Sequence, residues 1–292
     1  MHSRRTFLQA IAATSTGAAL LASDFSNVKL GAQTNAWPIN PADLSTFFAI
    51  LDKIKAYKFD GFETGFANLR SQFQSPEQTR QRIEATRLQF FGVHIFLPQY
   101  DPGTHIAPAS LYEDVAGGGA ALGAQRLILS GAPVSNGSGL DQPALKRKVD
   151  GLNRAGHFAK SAGLRMVAYH NHAPEFAHNG AEILALMRDT DPDDVGFLLD
   201  AGHAYEAGAD IPEFFNRNRQ RIIGLHLRDY KNGEQVPLGS GAFPLQEVAA
   251  VIERTQWQGW ILCEEERPKS KPGDAAMHPA RDALFRVFRG ES

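Results

Sequence analysis

One cysteine, Cys263, excludes an intrachain disulfide, so burial of apolar surface has to hold the chain together. The body of the chain has no run of lysine and arginine, and 30 basic residues stand against 32 acidic ones. A protein that follows a phosphate backbone needs a basic footprint, so the charge gives nucleic-acid binding no support. After the N-terminal stretch, no apolar run is long enough to cross a bilayer. No Gly-x-Gly-x-x-Gly follows the first apolar run, which argues against a dinucleotide fold. The triple Gly117-Gly118-Gly119 lies inside a helical pattern and reads as close helix packing, not as a phosphate loop. The rest is ordinary globular composition, 292 residues with 43% hydrophobic and 21% charged, enough for one barrel or two small domains.

Residues 1–27 read as an address and a linker. Arg4-Arg5-Thr6-Phe7-Leu8 is followed by a moderately apolar stretch that runs to Ala22. A paired arginine ahead of such a stretch is the layout of a bacterial export signal. The string SRRTFLQ resembles the twin-arginine (Tat) signal, which implies passage through that export machinery and a periplasmic or otherwise exported protein. Gln9, Thr14, Ser15, Thr16 and Gly17 interrupt the stretch and make it a poor permanent span.

Residues 28–292 alternate short apolar runs with longer amphipathic ones. The short runs, expected to be strands, are 28–34, 61–64, 90–96, 126–130, 165–170, 195–200, 222–227 and 260–264. Each leads into a helical segment. Asp43, Ser75-Pro76-Glu77 and Asp141-Gln142-Pro143 are helix-start signals, and His278-Pro279 is expected to open the last helix. Eight strand–helix units predict a single parallel (β/α)8 TIM barrel.

Functional groups of such a barrel sit at the C-terminal ends of its strands. Glu63 ends the second run and His94 lies in the third. The fifth ends in Tyr169-His170-Asn171-His172, with Glu175 just beyond. Asp200 and His203 follow the sixth, His226, Arg228 and Asp229 the seventh, and Glu264-Glu265-Glu266 the eighth. Carboxylates with an imidazole make a mostly oxygen site for one divalent ion, with Mn²⁺ as the first expectation and Mg²⁺, Co²⁺ or Zn²⁺ as alternatives. Such an ion polarises a carbonyl, and a neighbouring carboxylate can then take a proton from the adjacent carbon. Each residue has a plainer reading as well. Asp200 could cap the next turn, and His226 could be a satisfied core histidine. Glu265 and Glu266 could be solvated or paired with Arg267, and Arg228 with Asp229 could orient ligands from behind. Cys263 points away from Glu264 by strand alternation and reads as packing.

The strings YHNHAPEF, GFLLDAGH, GLHLRDY and GWILCEE, in that order, resemble the xylose-isomerase-like TIM-barrel superfamily, with its sugar isomerases, epimerases and inosose dehydratases. The resemblance implies Asp200, His226 and Glu264 as metal ligands. Many epimerases carry a first glutamate at the end of the fifth strand, where this chain has Tyr169. Glu175 is expected to reach back as the fourth ligand, with His170 or His172 as the alternatives. Glu175 and Glu264 are the expected acid/base pair, and Glu63, His94, His172, His203 and Arg228 the substrate contacts. The resemblance implies isomerase or epimerase chemistry on a sugar or polyol ketone through an enediolate. A dehydratase or lyase on a keto-sugar, keto-glycoside or inosose is the alternative. An endonuclease IV-like phosphodiesterase and a non-catalytic sugar-binding protein rank below both.

Overall fold

The computed structural model of the chain describes residues 24–137, 139–265 and 273–291. Eight strands close into one parallel barrel: β1 Val28–Gln33, β2 Gly61–Gly65, β3 Gln89–Ile95, β4 Leu127–Leu129, β5 Val167–His170, β6 Val195–Asp200, β7 Ile222–Leu227 and β8 Gly259–Cys263. Each strand pairs with its sequence neighbours, and β1 closes the barrel against β8 with Val28 opposite Gly259. The proposed export segment falls almost wholly on residues 1–23, outside the described residues.

Nine α-helices among the described residues wrap the barrel: α1 Leu44–Ala56, α2 Glu77–Thr86, α3 Ala109–Ala121, α4 Gln142–Ser161, α5 Ala177–Asp189, α6 Ala201–Glu206, α7 Ile211–Asn218, α8 Leu245–Thr255 and α9 Gly273–Arg289. Local chemistry starts several of them. The side chains of Asp43, Asp141 and Asp210 accept hydrogen bonds from Ser45, Ala144 and Glu213 N–H groups, satisfying amides that a helix start leaves open. Strand alternation divides the apolar residues into two sets. Phe91, Ile128, Ala168, Leu198, Trp260 and Leu262 fill the barrel, while a larger cluster lies between sheet and helices. The inward positions above that filling, toward the strand C-termini, are polar.

Two expectations change. The turn after β6 is itself a short helix, α6, started by Asp200. The last helix opens at Gly273 and carries Pro279 in its second turn; burial of Ala276, Met277 and Ala280 outweighs the one N–H that proline cannot donate. Helix α5 begins on a left-handed run of His178, Asn179 and Gly180, so its regular part starts after Gly180.

Candidate metal centre

Four buried side chains from neighbouring strands meet at the C-terminal mouth. His170 ends β5, Asp200 ends β6, His226 lies in β7 and Glu264 directly follows β8. One ligand atom from each lies within 4.8 Å of the others. His170 Nε2 is 3.0 Å from His226 Nδ1, 3.5 Å from Asp200 Oδ2 and 3.6 Å from Glu264 Oε2. Backbone register does most of this work, since Asp200 and His226 are paired across β6 and β7. Asn171 ties β5 to β6 by donating to Asp200 O and accepting from Asp200 N. Asp200 also caps α6, with Oδ1 accepting from His203 N at 2.7 Å. The capping reading and the ligand reading therefore hold together, one oxygen for each.

The residues present fit a divalent ion. Asp200 Oδ2 and Glu264 Oε2 are buried carboxylate oxygens that face the imidazoles of His170 and His226. Buried carboxylates are costly unless cations meet them. Arg228 Nη2 lies 3.0 and 2.7 Å from these two oxygens and supplies one positive charge. With Glu63 behind His226, the cluster holds three buried carboxylates beside that one guanidinium among the described residues. The imbalance of two negative charges is what a dication offsets, once both imidazoles are neutral. Gly202 permits this arrangement, because a Cβ there would fall 2.0 Å from Arg228 Cγ.

Glu63 is fully buried behind the ligands. It takes hydrogen bonds from His226 Nε2 at 2.6 Å and His94 Nδ1 at 2.9 Å. Burial works to raise its carboxyl, but the charge of His226 and the bonds from both imidazoles win and hold it at about 2. Burial likewise opposes charge on His226, and Glu63 and Glu264 outweigh it, pulling the imidazole up to about 10. Glu63 thus leaves His226 Nδ1 to face the other ligands, as carboxylates behind metal-binding histidines do. Ser130 links the second imidazole, with Oγ 2.9 Å from His94 Nε2 and 3.4 Å from His170 Nδ1. Glu63→Gln is expected to weaken metal affinity by roughly 10–100-fold with the fold intact. Competition with a fluorescent chelator, beside far-UV circular dichroism, measures this; unchanged affinity would contradict the orienting role.

The structure corrects several sequence expectations. Glu175 is not among the four groups that gather. Its Oε1 accepts from Tyr169 OH at 2.7 Å, and its Oε2 from His172 N at 3.0 Å. Both oxygens are committed to holding the turn after β5, and His170 occupies the place expected of Glu175. Glu175 also does not line the cavity above the four groups, where an acid/base partner was expected. Two imidazoles among the four groups make the site less hard than the oxygen-rich one expected. Glu265 is buried, not solvated; it accepts from Leu238 N at 3.0 Å, and burial raises its carboxyl to about 8. Glu266 and Arg267 lie outside the described residues. Asp229 accepts from the N–H groups of Tyr230, Gly239, Gly241 and Phe243 and folds the loop after β7.

A cavity of about 440 Å³ opens above the four groups. That is within the range of small-ligand sites. His94, His172, His203 and Arg228 line it as the sequence suggested, and Glu63 does not. Burial, then the charges of His170 and His203, push His172 down to about 2, so this imidazole is neutral. Gln33, Asn35, Asn68, Phe66 and Phe96 also line the cavity and were not anticipated. The signal was available for Asn35, two residues past β1 at the functional rim; its Nδ2 donates to Glu264 Oε1 at 3.0 Å. Phe96, 60% exposed at the lip, leaves an aromatic face open to solvent.

Comparison with known proteins identifies the family and the fold. Residues 51–285 match the family described as "Xylose isomerase-like TIM barrel". Inosose dehydratase from Geobacillus kaustophilus is 33% identical over 150 residues, 45% of this chain and 47% of that protein. Inosose dehydratase from Lacticaseibacillus casei is 32% identical over 145 residues, 43% of this chain and 48% of that protein. The chain thus matches about half the length of these curated relatives. Among solved structures, the IOLI protein with a bound zinc atom superposes with TM-score 0.72 at 16% identity, over 90% of this chain and 98% of the other. The 3-keto-D-glucoside 4-epimerase from E. coli superposes with TM-score 0.67 at 17% identity, over 90% and 99%. At such identity these two share the fold. The closed eight-stranded barrel, the polar rim and the span of the family match lead to one statement: the chain belongs to the xylose isomerase-like TIM barrel family.

Proposed function

We propose that the protein is a metal-dependent lyase of the dehydratase type, acting on a cyclic polyol ketone or keto-sugar. This gives precedence to the sequence's second reading over the isomerase or epimerase. The observation that carries it is an asymmetry: Glu264 is the one carboxylate lining the cavity among the described residues, and it shares that lining with the imidazoles of His94, His172 and His203. Inverting a carbon calls for comparable acid/base groups on both faces, whereas elimination calls for one base and a different acid. The inosose dehydratase relatives support the same choice.

His170, Asp200, His226 and Glu264 would hold the ion, and two imidazoles favour zinc, cobalt or manganese over magnesium. When bound, it polarises a substrate carbonyl and acidifies the neighbouring carbon. Glu264 is placed to take the proton from that carbon, with Asn35 fixing its Oε1. The released electron pair forms a carbon–carbon double bond as the β-carbon–oxygen bond breaks. The departing hydroxyl takes a proton from the imidazole of His203, which lines the same cavity, and leaves as water. Phe66 and Phe96 offer apolar faces to the C–H side of a ring, and Gln33 and Asn68 offer amides to its hydroxyls. Metal-loaded protein incubated with inososes and 3-keto-glycosides in D₂O tests the reading by NMR. Formation of an enone with loss of water or alcohol supports it; deuterium uptake with inversion and no elimination assigns an epimerase instead.

Residues 1–27 are proposed to direct the protein to the periplasm through the twin-arginine route. Replacing Arg4 and Arg5 together by lysine is expected to keep the protein in the cytoplasm, because the address is read as an arginine pair and not as charge. Cell fractionation measures it, and undiminished periplasmic accumulation of that variant would refute the assignment.

A further inference from the structure

The opposite mouth of the barrel holds a second cavity, of about 470 Å³. Its lining comes from strand N-termini and the turns before them: Lys29 in β1, Arg126 ahead of β4, Arg165 ahead of β5 and Arg219 ahead of β7. It lies one strand length, roughly 20 Å, from the metal centre. Four cationic side chains share this lining, and no acidic side chain among the described residues does.

Arg126 is the unusual member. It is only 8% exposed, and its Nε is buried without a hydrogen-bond partner among the described residues. Its Nη1 reaches Gln125 Oε1 at 3.2 Å, and its guanidinium lies 4.6 Å from the centroid of the Phe91 ring that helps fill the barrel. Burial, then the charge of Arg165, push its guanidinium down to about 10, so its resolved charged neighbour repels it. Surface cations at this end need no special account, because helix C-termini point this way and carry partial negative charge. That does not extend to a guanidinium sunk into the barrel mouth with an unmet N–H, since leaving such a group unpaired is costly. Trp257 and Trp260 give the cavity an apolar wall beside the cations.

We propose that this mouth binds a small phosphate ester, with Arg126 and Arg165 on the phosphate, Lys29 and Arg219 at its edge, and the tryptophan wall against the organic part. Guanidinium groups match phosphate oxygens through paired N–H donors, and several cations without a carboxylate suit an anion of more than one charge. The site is separate from the metal centre and from any sugar bound there.

Phenyl phosphate, which joins a phosphate to an apolar ring, is the probe for titration into the full-length protein. Calorimetry gives the affinity, and tryptophan fluorescence of a Trp37→Phe protein, which keeps Trp257 and Trp260, reports the location. We expect saturable one-site binding that sodium chloride at equal ionic strength does not mimic. Arg126→Gln should weaken it at least 10-fold. The double variant Arg165→Gln with Arg219→Gln should do the same, and it carries the test if the buried substitution impairs folding. Glu264→Gln should leave phenyl phosphate binding unchanged. Absence of saturable binding, equal affinity in the double variant, or loss of binding in Glu264→Gln would each overturn the proposal, the last by placing the anion at the metal centre.

Discussion

Glu264→Gln is expected to lower turnover by at least the roughly 10²–10⁴-fold that accompanies loss of a general acid or base. The substitution keeps the shape of the side chain and removes both its negative charge and its ability to take a proton. The loss should be compound, because Glu264 also contributes one of the four gathered ligand atoms. Metal affinity should therefore fall too, and the two effects separate at saturating metal. If added ion restores full turnover, Glu264 is a ligand alone, and the base has to be sought among the pocket imidazoles. Asp200→Asn provides the comparison. It should weaken the ion while leaving turnover at saturating metal closer to wild type, since Asp200 divides its oxygens between the cluster and the cap of α6.

His170→Ala and Glu175→Gln should part company, although His170 ends β5 and Glu175 lies in the turn just after it. His170→Ala removes a ligand, so it should reduce metal affinity by more than the roughly 10–100-fold that follows loss of a group behind a ligand. Glu175→Gln should retain one bound ion per chain. Its cost should appear as stability, because Glu175 sits in a buried network. Lys148 Nζ, with no exposed surface, lies 2.7 Å from Glu182 Oε1 and 3.7 Å from Glu175 Oε1, and donates to Ala132 O at 2.8 Å. Glu182 Oε2 in turn accepts from Val134 N and Ser135 N. Lys148→Met would strand two buried carboxylates, so unfolding free energy should fall by about 3–5 kcal/mol. Denaturant titration gives that number, and metal analysis of the folded fraction gives the stoichiometry. A Glu175→Gln protein that folds but has lost its metal would reverse the ligand assignment.

The strand–helix alternation that revealed the barrel is a local property, and so it was legible. A period of two in the strands and helix-start residues such as Asp43 and Asp141 act over a few positions. The functional rim was legible for the same reason, because parallel strands point every C-terminal end the same way. Asp200, His226 and Glu264 stand with several other ionisable groups at those ends, and the family likeness of their strings singled out these three. Helix α6 was missed because one residue, Asp200, both ends a strand and starts a helix, leaving no spacer to mark the change.

What the sequence determined by itself is the barrel, the mouth that carries the chemistry, and three of the four groups that gather there. The tertiary structure alone decided between His170 and Glu175. Both are near the end of β5, and a turn after that strand can bring either one to the mouth. The choice was made by Tyr169 OH and His172 N, which take both oxygens of Glu175, and by Lys148 of α4 beside them. Tertiary structure also turned Glu63 from a substrate contact into the support of His226, and Glu265 from a solvated acid into a buried acceptor. The physical reason is common to all three. A carboxylate inside a barrel goes where hydrogen bonds and countercharge repay its desolvation, and those partners come from strands and helices far away in sequence.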